Sequence, residues 1–424
     1  MRARELIPSR AVVVATLVFV AVYVALDFNK LYALRYGADT GTFLQWFAGE
    51  THGWGSWNGA EYRPHLQVHD SWVLLALVPL VAAFPYTQTL LVVQVVAMAA
   101  AAPVIYAFAR TCGADVRGAS AVAMAYLLAP SAQGIAYGNF IENVFIPLLA
   151  SLAVLGVARR SLWLALIPAQ LLLGLKEDQA LFALWFGAAC ALWWDRRIGI
   201  WIAALGLING LGFVAFEHLA GTRPSIPDYG LHVEHVESKL EFFLALLAPL
   251  AFAPLWLGWR LLLGIPLAAE IVFNGPWAYQ IARIGTHWTV NVFIAAVLAA
   301  AYVVARRPRF ALPMLVLSAI AAFTINDTVI KPGRWPYVVD WDAYRRAAAL
   351  RETRDRYVLV PRTEEGVYAV AASNHYVLLG WYDPSDQAKY CPAYNTNARA
   401  FFASLGLVPW PPGLGLCGGV PVRR

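Results

Sequence analysis

Three adjacent charged residues, Lys176, Glu177 and Asp178, interrupt two apolar runs, LLLGL and QALFALWF. A plain surface turn could hold such a triplet, with the lysine reaching back to the interface along its own stem. The flanking apolar runs are short, however, which places the turn below the headgroup level, where charges need partners or a water-filled cavity. There the lysine can stabilise a departing phosphate. Either carboxylate can position it or hold a divalent cation. Asp39, in GADTGTFLQWF, suits a general base or a metal ligand, and equally an N-cap for a helix starting at Thr40 or Gly41. His69 stands before Asp70 and Ser71 at the head of a short apolar segment. It suits an acid, base or metal ligand, while Asp70 or Ser71 suits a cap. Arg283 and His287 fall in YQIARIGTHWTVN. An arginine there can hold a phosphate, and the histidine can be a ligand or an interfacial anchor beside Trp288. Glu142 and Asn143, in the turn GNFIEN, can face the same cavity, but the solvated reading is favoured for them, as for the amphipathic segment HVEHVE carrying His232, Glu234, His235 and Glu237.

These residues hang on an integral membrane framework. Apolar residues make up 60% of the 424 and charged residues 14%, against roughly 45–50% and 25% in soluble domains. The net charge of +6 does not indicate nucleic acid, because the arginines form short clusters between apolar runs rather than a basic groove with interleaved aromatics. The first run, Ala11 to Leu26, follows three arginines and has no small-residue cleavage site after it, so it reads as a retained helix. Spans are expected near 11–28, 88–109, 119–137, 144–158, 162–175, 179–194, 198–219, 241–258, 261–273, 291–305 and 310–326, about eleven in all. The run 71–84 is too short to join them and reads as interfacial or re-entrant.

That exclusion sets the orientation. Without 71–84, every short turn bearing arginine falls on one side: Arg2, Arg4 and Arg10, then Arg110 and Arg117, Arg159 and Arg160, Arg196 and Arg197, Arg260, and Arg306, Arg307 and Arg309. Counting it as a span inverts all the later turns. The positive-inside rule therefore places the N-terminus in the cytoplasm and, for an odd span count, the C-terminus outside the cell membrane. The expected architecture is an all-α polytopic domain over 1–326, with a long first outer loop at 29–87. A small extracytoplasmic α/β domain follows over 327–424. In that tail WDAYRRAAALRETRD suggests a helix, and YVLVPR and GVYAVAAS suggest strands. Cys391 and Cys417 lie in the tail, either bonded or free, while Cys112 and Cys190 read as free thiols at cytoplasmic helix ends. No Walker A, Rossmann glycine fingerprint, zincin or nucleophile elbow is present, so nucleotide-driven transport and serine hydrolysis have no support.

Taken together and in order, GADTGTFLQWFAG, VHDSWVLLALVPLVAAFP, LLVVQVVAMAAAAPVIYAFAR, LLLGLKEDQALFAL, the His287-Trp288 pair and the tail piece AVAASNHYVLLG resemble the prokaryotic membrane-protein family called domain of unknown function 2079. That family in turn resembles the GT-C class of integral-membrane glycosyltransferases. The resemblance implies a catalytic carboxylate in the first outer loop, interfacial helices in that loop, and a polyprenyl-phosphate sugar as donor. Asp39 matches the carboxylate, with His69, Lys176, Glu177, Asp178 and His287 at family-typical positions. Two departures stand out. The family's Asp-Phe-His-Pro-Glu turn reads Asn139-Phe140-Ile141-Glu142-Asn143 here, without the histidine, and Trp288 replaces a tyrosine. The implied function is glycosyl transfer at the outer face, with Asp39 and His69 catalytic and Lys176, Glu177, Asp178, Arg283 and His287 binding substrate, with or without a divalent cation. A lipid or solute transporter and a non-catalytic scaffold are the competing readings. Membrane lipid is the expected partner, and nucleic acid is not.

Overall fold

The computed structural model describes residues 7–51, 57–58, 63–219, 235–273, 285–325, 336–352, 357–361, 365–372 and 376–380. Helices dominate. Four of them are long and apolar enough to cross a membrane: Arg10–Tyr32 (α1), Thr87–Thr111 (α4), the first 21 residues of Arg196–Leu219 (α10), and Val290–Arg306 (α13) together with the turn His287–Thr289 that starts it. Two bent pairs raise the number to six. The shorter apolar helices are Ile146–Ala158 (α7), Leu162–Leu173 (α8), Gln179–Trp193 (α9) and Ala311–Thr324 (α14), with 3-10 turns extending α7 and α14 at their starts. The protein is thus an all-α membrane protein.

Proline and glycine set where helices stop. The expected single helix 119–137 is two, Val116–Leu128 (α5) and Pro130–Ala136 (α6), bent by 50°. Ala129 sits in an extended conformation (φ −62°, ψ 134°), the one favoured for a residue before proline. The expected span 241–258 is also not one helix. Val236–Leu247 (α11) ends in a turn with Ala251 and Phe252 in the left-handed region. A 3-10 stretch, Ala253–Gly264, then runs into Ile265–Phe273 (α12) at an angle of 97°. Gly258 within it has φ 65° and ψ −137°, open to glycine alone.

The run 71–84 folds as a 3-10 stretch, Trp72–Leu77, followed by Val78–Ala83 (α3), six residues each. At ~1.5–2 Å rise per residue this is well short of a ~30 Å hydrocarbon core. Before it come Ala38–Thr51 (α2) and an antiparallel pair, Trp57–Asn58 (β1) with Arg63–Pro64 (β2).

Small residues let the long helices touch. α9 and α10 meet backbone to backbone at Gly187, Gly199 and Gly206; a Cβ at Gly206 would lie 2.7 Å from the Leu184 nitrogen. Close approach of this kind drives helix association in lipid, where the hydrophobic effect offers little. Alanines line the buried faces of α4, α5 and α13, and Tyr126 stacks on Phe293 while donating to the Met98 carbonyl at 2.8 Å.

The described part of the tail packs onto this bundle. Trp341–Ala349 (α15) is capped by Asp340, whose carboxylate accepts from Ala343 at 2.9 Å. Tyr357–Pro361 (β3) and Tyr376–Gly380 (β4) pair in parallel around Glu365–Ala371 (α16). The stretch GVYAVAAS, expected as a strand, is this helix. Its residues are apolar on every side, so their pattern has no period to read. Packing decides the matter: Tyr368 through Ala372 are all buried, against α2 on one side and against Leu31, Tyr36 and Leu91 on another. Cys391 and Cys417 lie outside the described residues. Cys112 and Cys190 are free.

Candidate functional site

The bundle has two unlike ends. Ser9 bonds Ser120 at the end where α1 and α5 begin, and Arg10, Arg117 and the other described arginine turns share that end. At the opposite end the 3-10 stretch Trp72–Leu77 lies against the turn between α8 and α9. Val73 donates to the Gly174 carbonyl at 3.0 Å. The Ser71 hydroxyl donates to the Leu175 carbonyl at 2.8 Å, so Ser71 ties two loops together rather than capping its helix. Gly174 is required by this contact, because a Cβ there would run into the Trp72 ring and Val73.

The charged triplet follows directly. His69 Nδ1 shares a proton with the Glu177 carboxylate at 3.1 and 3.3 Å, and the Asp70 backbone N–H donates to Glu177 at 3.4 Å. Burial disfavours charge at Glu177, but the hydrogen bond and charge of His69, with Lys176, outweigh it and hold the carboxyl at about 2. Burial likewise opposes the imidazolium, and Glu177 reverses that, leaving His69 above its ordinary value. Asp70 is pushed up to about 6, by burial first and then by Glu177.

Lys176 turns the other way. Its Nζ lies 3.8 Å from Glu142 Oε1 and 5.1 Å from the centre of the Trp288 ring, and its side chain is only 12% exposed. Burial alone would discharge it. Asp178, Glu142, Glu177 and Glu270 together keep it protonated, with its pKa raised. Asp178 is half-buried near it and accepts from its neighbour Gln179 at 2.9 Å. Burial raises its pKa against the pull of Lys176. His287 reaches the same place through Trp288, its ring 4.5 Å from the indole, while Asn143 donates to the His287 carbonyl at 3.2 Å. Gly134 and Gly285 abut and hold this turn against α6.

Asp39 meets the turn 139–143 from α2. It is exposed, in the first turn of α2, and accepts from Asn139 at 3.0 Å. It does not cap the helix, which starts earlier than expected. The Ala38 N–H donates instead to Glu365 of the tail at 3.1 Å. The turn 139–143 is what connects the two places: Asn139 and Phe140 contact the start of α2, and Glu142 contacts Lys176. Arg283 lies outside the described residues, as do His232 and Glu234; His235 and Glu237 are exposed.

Three residues escaped the sequence reading. Glu142 and Asn143 are 4% and 3% exposed, not solvated. The signal available was their place between two apolar runs, the same signal that marks Lys176. Glu365 gave none, since its partner is 327 positions away. Among the described residues no group of three or more histidine, cysteine, aspartate and glutamate side chains is placed to share a metal ion.

Residues 30–238 match the family described as predicted membrane protein (DUF2079). The match takes in Asp39, His69 and the Lys176–Asp178 turn and stops before His287 and the tail. No curated protein matches the chain.

Proposed function

We propose that this chain is a membrane glycosyltransferase that moves a sugar from a polyprenyl-phosphate donor to an acceptor hydroxyl at the extracytoplasmic face. One observation carries the reading: the ionisable groups outside the arginine turns collect at a single end of the bundle, around a protonated lysine, with an exposed carboxylate at the start of α2. In this reading Asp39 takes the proton of the acceptor hydroxyl. The hydroxyl oxygen forms the new bond to the anomeric carbon. The old bond from that carbon to the phosphate oxygen breaks, and polyprenyl phosphate departs with the electron pair. Lys176 stabilises its charge, and Arg283 is available to assist. Glu142 and Asp178 keep Lys176 charged and in place, and His69 with Glu177 holds the first loop against the turn.

The finer topology belongs to the same proposal. The short helices and both bent pairs complete about eleven passes, with α11 and the turn after it as one of them and the bent stretch Ala253–Phe273 as another. The arginine end is then cytoplasmic and the 327–424 domain extracytoplasmic. A transporter would place its charged cluster near the midplane with access from both sides. Gln94 and the Gln170–Asn209 pair, polar residues within the helices, are neutral. Purified protein given labelled polyprenyl-phosphate sugars should turn them over, and Asp39→Asn should reduce turnover at least about a hundred-fold. Equal turnover by the variant would remove Asp39 from the reaction. Cysteine labels at 85–88 that react only from the cytoplasm would overturn the topology.

A further inference from the structure

At the arginine end, the 3-10 stretch Ala253–Gly264 presents Leu255, Trp256, Trp259, Leu261 and Leu262, all exposed. Four arginines lie over aromatic rings around it. Arg307 and Arg309 both reach Trp256, at 4.6 and 5.7 Å from its ring centre; Arg260 reaches both Trp193 and Trp259; Arg306 covers Tyr302. Among the described residues none of Arg260, Arg307 and Arg309 has a carboxylate partner, and the buried Nε of Arg260 has no hydrogen-bond partner. Beside them runs a groove of about 430 Å³ lined by Ala251, Phe252, Phe310, Pro313 and Leu317, with Arg309 at its rim. The groove is otherwise wholly apolar. Its backbone turns through two left-handed residues, Ala251 and Phe252, to leave it open.

We propose that this groove and its rim bind an anionic phospholipid of the adjacent leaflet, with the phosphate between Arg307 and Arg309 and one acyl chain along Phe252, Phe310 and Leu317. The charge complementarity is specific. Guanidinium groups held on tryptophan faces are oriented but not neutralised, and a phosphate diester supplies the missing anion with matching bidentate geometry. The apolar lining suits a hydrocarbon chain and repels a soluble anion. Basic pockets between membrane helices are established seats for anionic headgroups. The inference needs nothing from the reaction proposed for the opposite end.

The test is native mass spectrometry of the full chain, delipidated and then offered equimolar phosphatidylglycerol and phosphatidylcholine of identical acyl chains. Wild-type protein should retain phosphatidylglycerol preferentially. R307Q and R309Q should each weaken that retention about five-fold, and the pair about thirty-fold, while R307K/R309K, which keeps the charge but neither the fork nor the stacking, should fall between the wild type and that pair, and an unchanged melting temperature of R307Q/R309Q shows that the fold survives. L317W, which fills the groove and leaves the arginines, should weaken retention of phosphatidylglycerol as well. Equal retention of the two lipids by the wild type, or an unchanged preference in R307Q/R309Q, would overturn the site. Unchanged retention by L317W would overturn the placement of the chain in the groove.

Discussion

The two ends of the bundle handle charge in opposite ways. At the arginine end Arg260, Arg306, Arg307 and Arg309 rest on aromatic rings, and the described carboxylates there, Asp115 and Asp195, are spent as helix caps. At the other end the charges are withdrawn from solvent, in whole or in part, and compensate one another: Lys176 with Glu142, His69 with Glu177. The arginines stay where headgroups and water can solvate them, so each is tolerated singly. The buried groups exist only as a set, because each alone would bear the full cost of desolvation. Function that needs a poised, water-excluded charge belongs at the second end.

The largest break in this comparison should come from Lys176→Ala. It strands Glu142 and Asp178 without a cation, and losing one member of a buried pair costs about 3–5 kcal/mol. Thermal unfolding in detergent should drop sharply, and adding Glu142→Gln should recover part of the loss. Full stability in the single variant would mean the cluster is solvated after all.

Gly174→Val comes next. Its side chain collides with Trp72 and Val73, and overpacking of this kind costs about 1–3 kcal/mol. A cysteine pair across Ser71 and Leu175 should crosslink in the parent and poorly in the variant.

Glu365→Ala should cost about 1 kcal/mol, the worth of a lost cap, and should leave a cysteine at Ala38 more reactive. Glu365→Gln, which keeps the acceptor, should restore most of both. An Ala variant indistinguishable from the parent would detach the tail from the start of α2.

The His69–Glu177 contact gives a pH signature. The folded pKa of His69 is raised, so its contribution is complete below about 6.5 and is lost as pH rises through the folded value. That of Glu177 is lowered, so its contribution is present above 4.5 and lost as pH falls toward about 2. The contact should therefore stabilise most between those two limits, on the order of 1 kcal/mol given its partial exposure. His69→Gln should flatten the alkaline side of the melting profile. A profile unchanged by that substitution would dismiss the pair.

Arg307→Ala should be the smallest effect on stability, within about 0.5 kcal/mol. A loss comparable to that of Lys176→Ala would erase the contrast between the ends.

Much of this is legible in the sequence. Apolar run length and the position of arginines place the helices, the short 71–84 segment and the Lys176 turn, since each is a property of adjacent residues. The breaks at Pro130 and near Ala251 were missed. Hydropathy continues through both, and only the backbone conformation of Ala129, Ala251 and Phe252 interrupts the helices. Glu142 was misjudged because a carboxylate in a short turn is soluble by default. It is buried only because Lys176, 34 positions away, is there to receive it.

The amino-acid sequence by itself determined the membrane class, the helix-and-turn rhythm and the gathering of arginines on one side, because lipid and water act on each segment locally. Which charges meet was decided by tertiary structure alone. His69 and Glu177 are 108 positions apart, and Ala38 and Glu365 are 327. A buried ion is stable only with a partner in place, and the partner is set by how the helices pack, which no local pattern encodes.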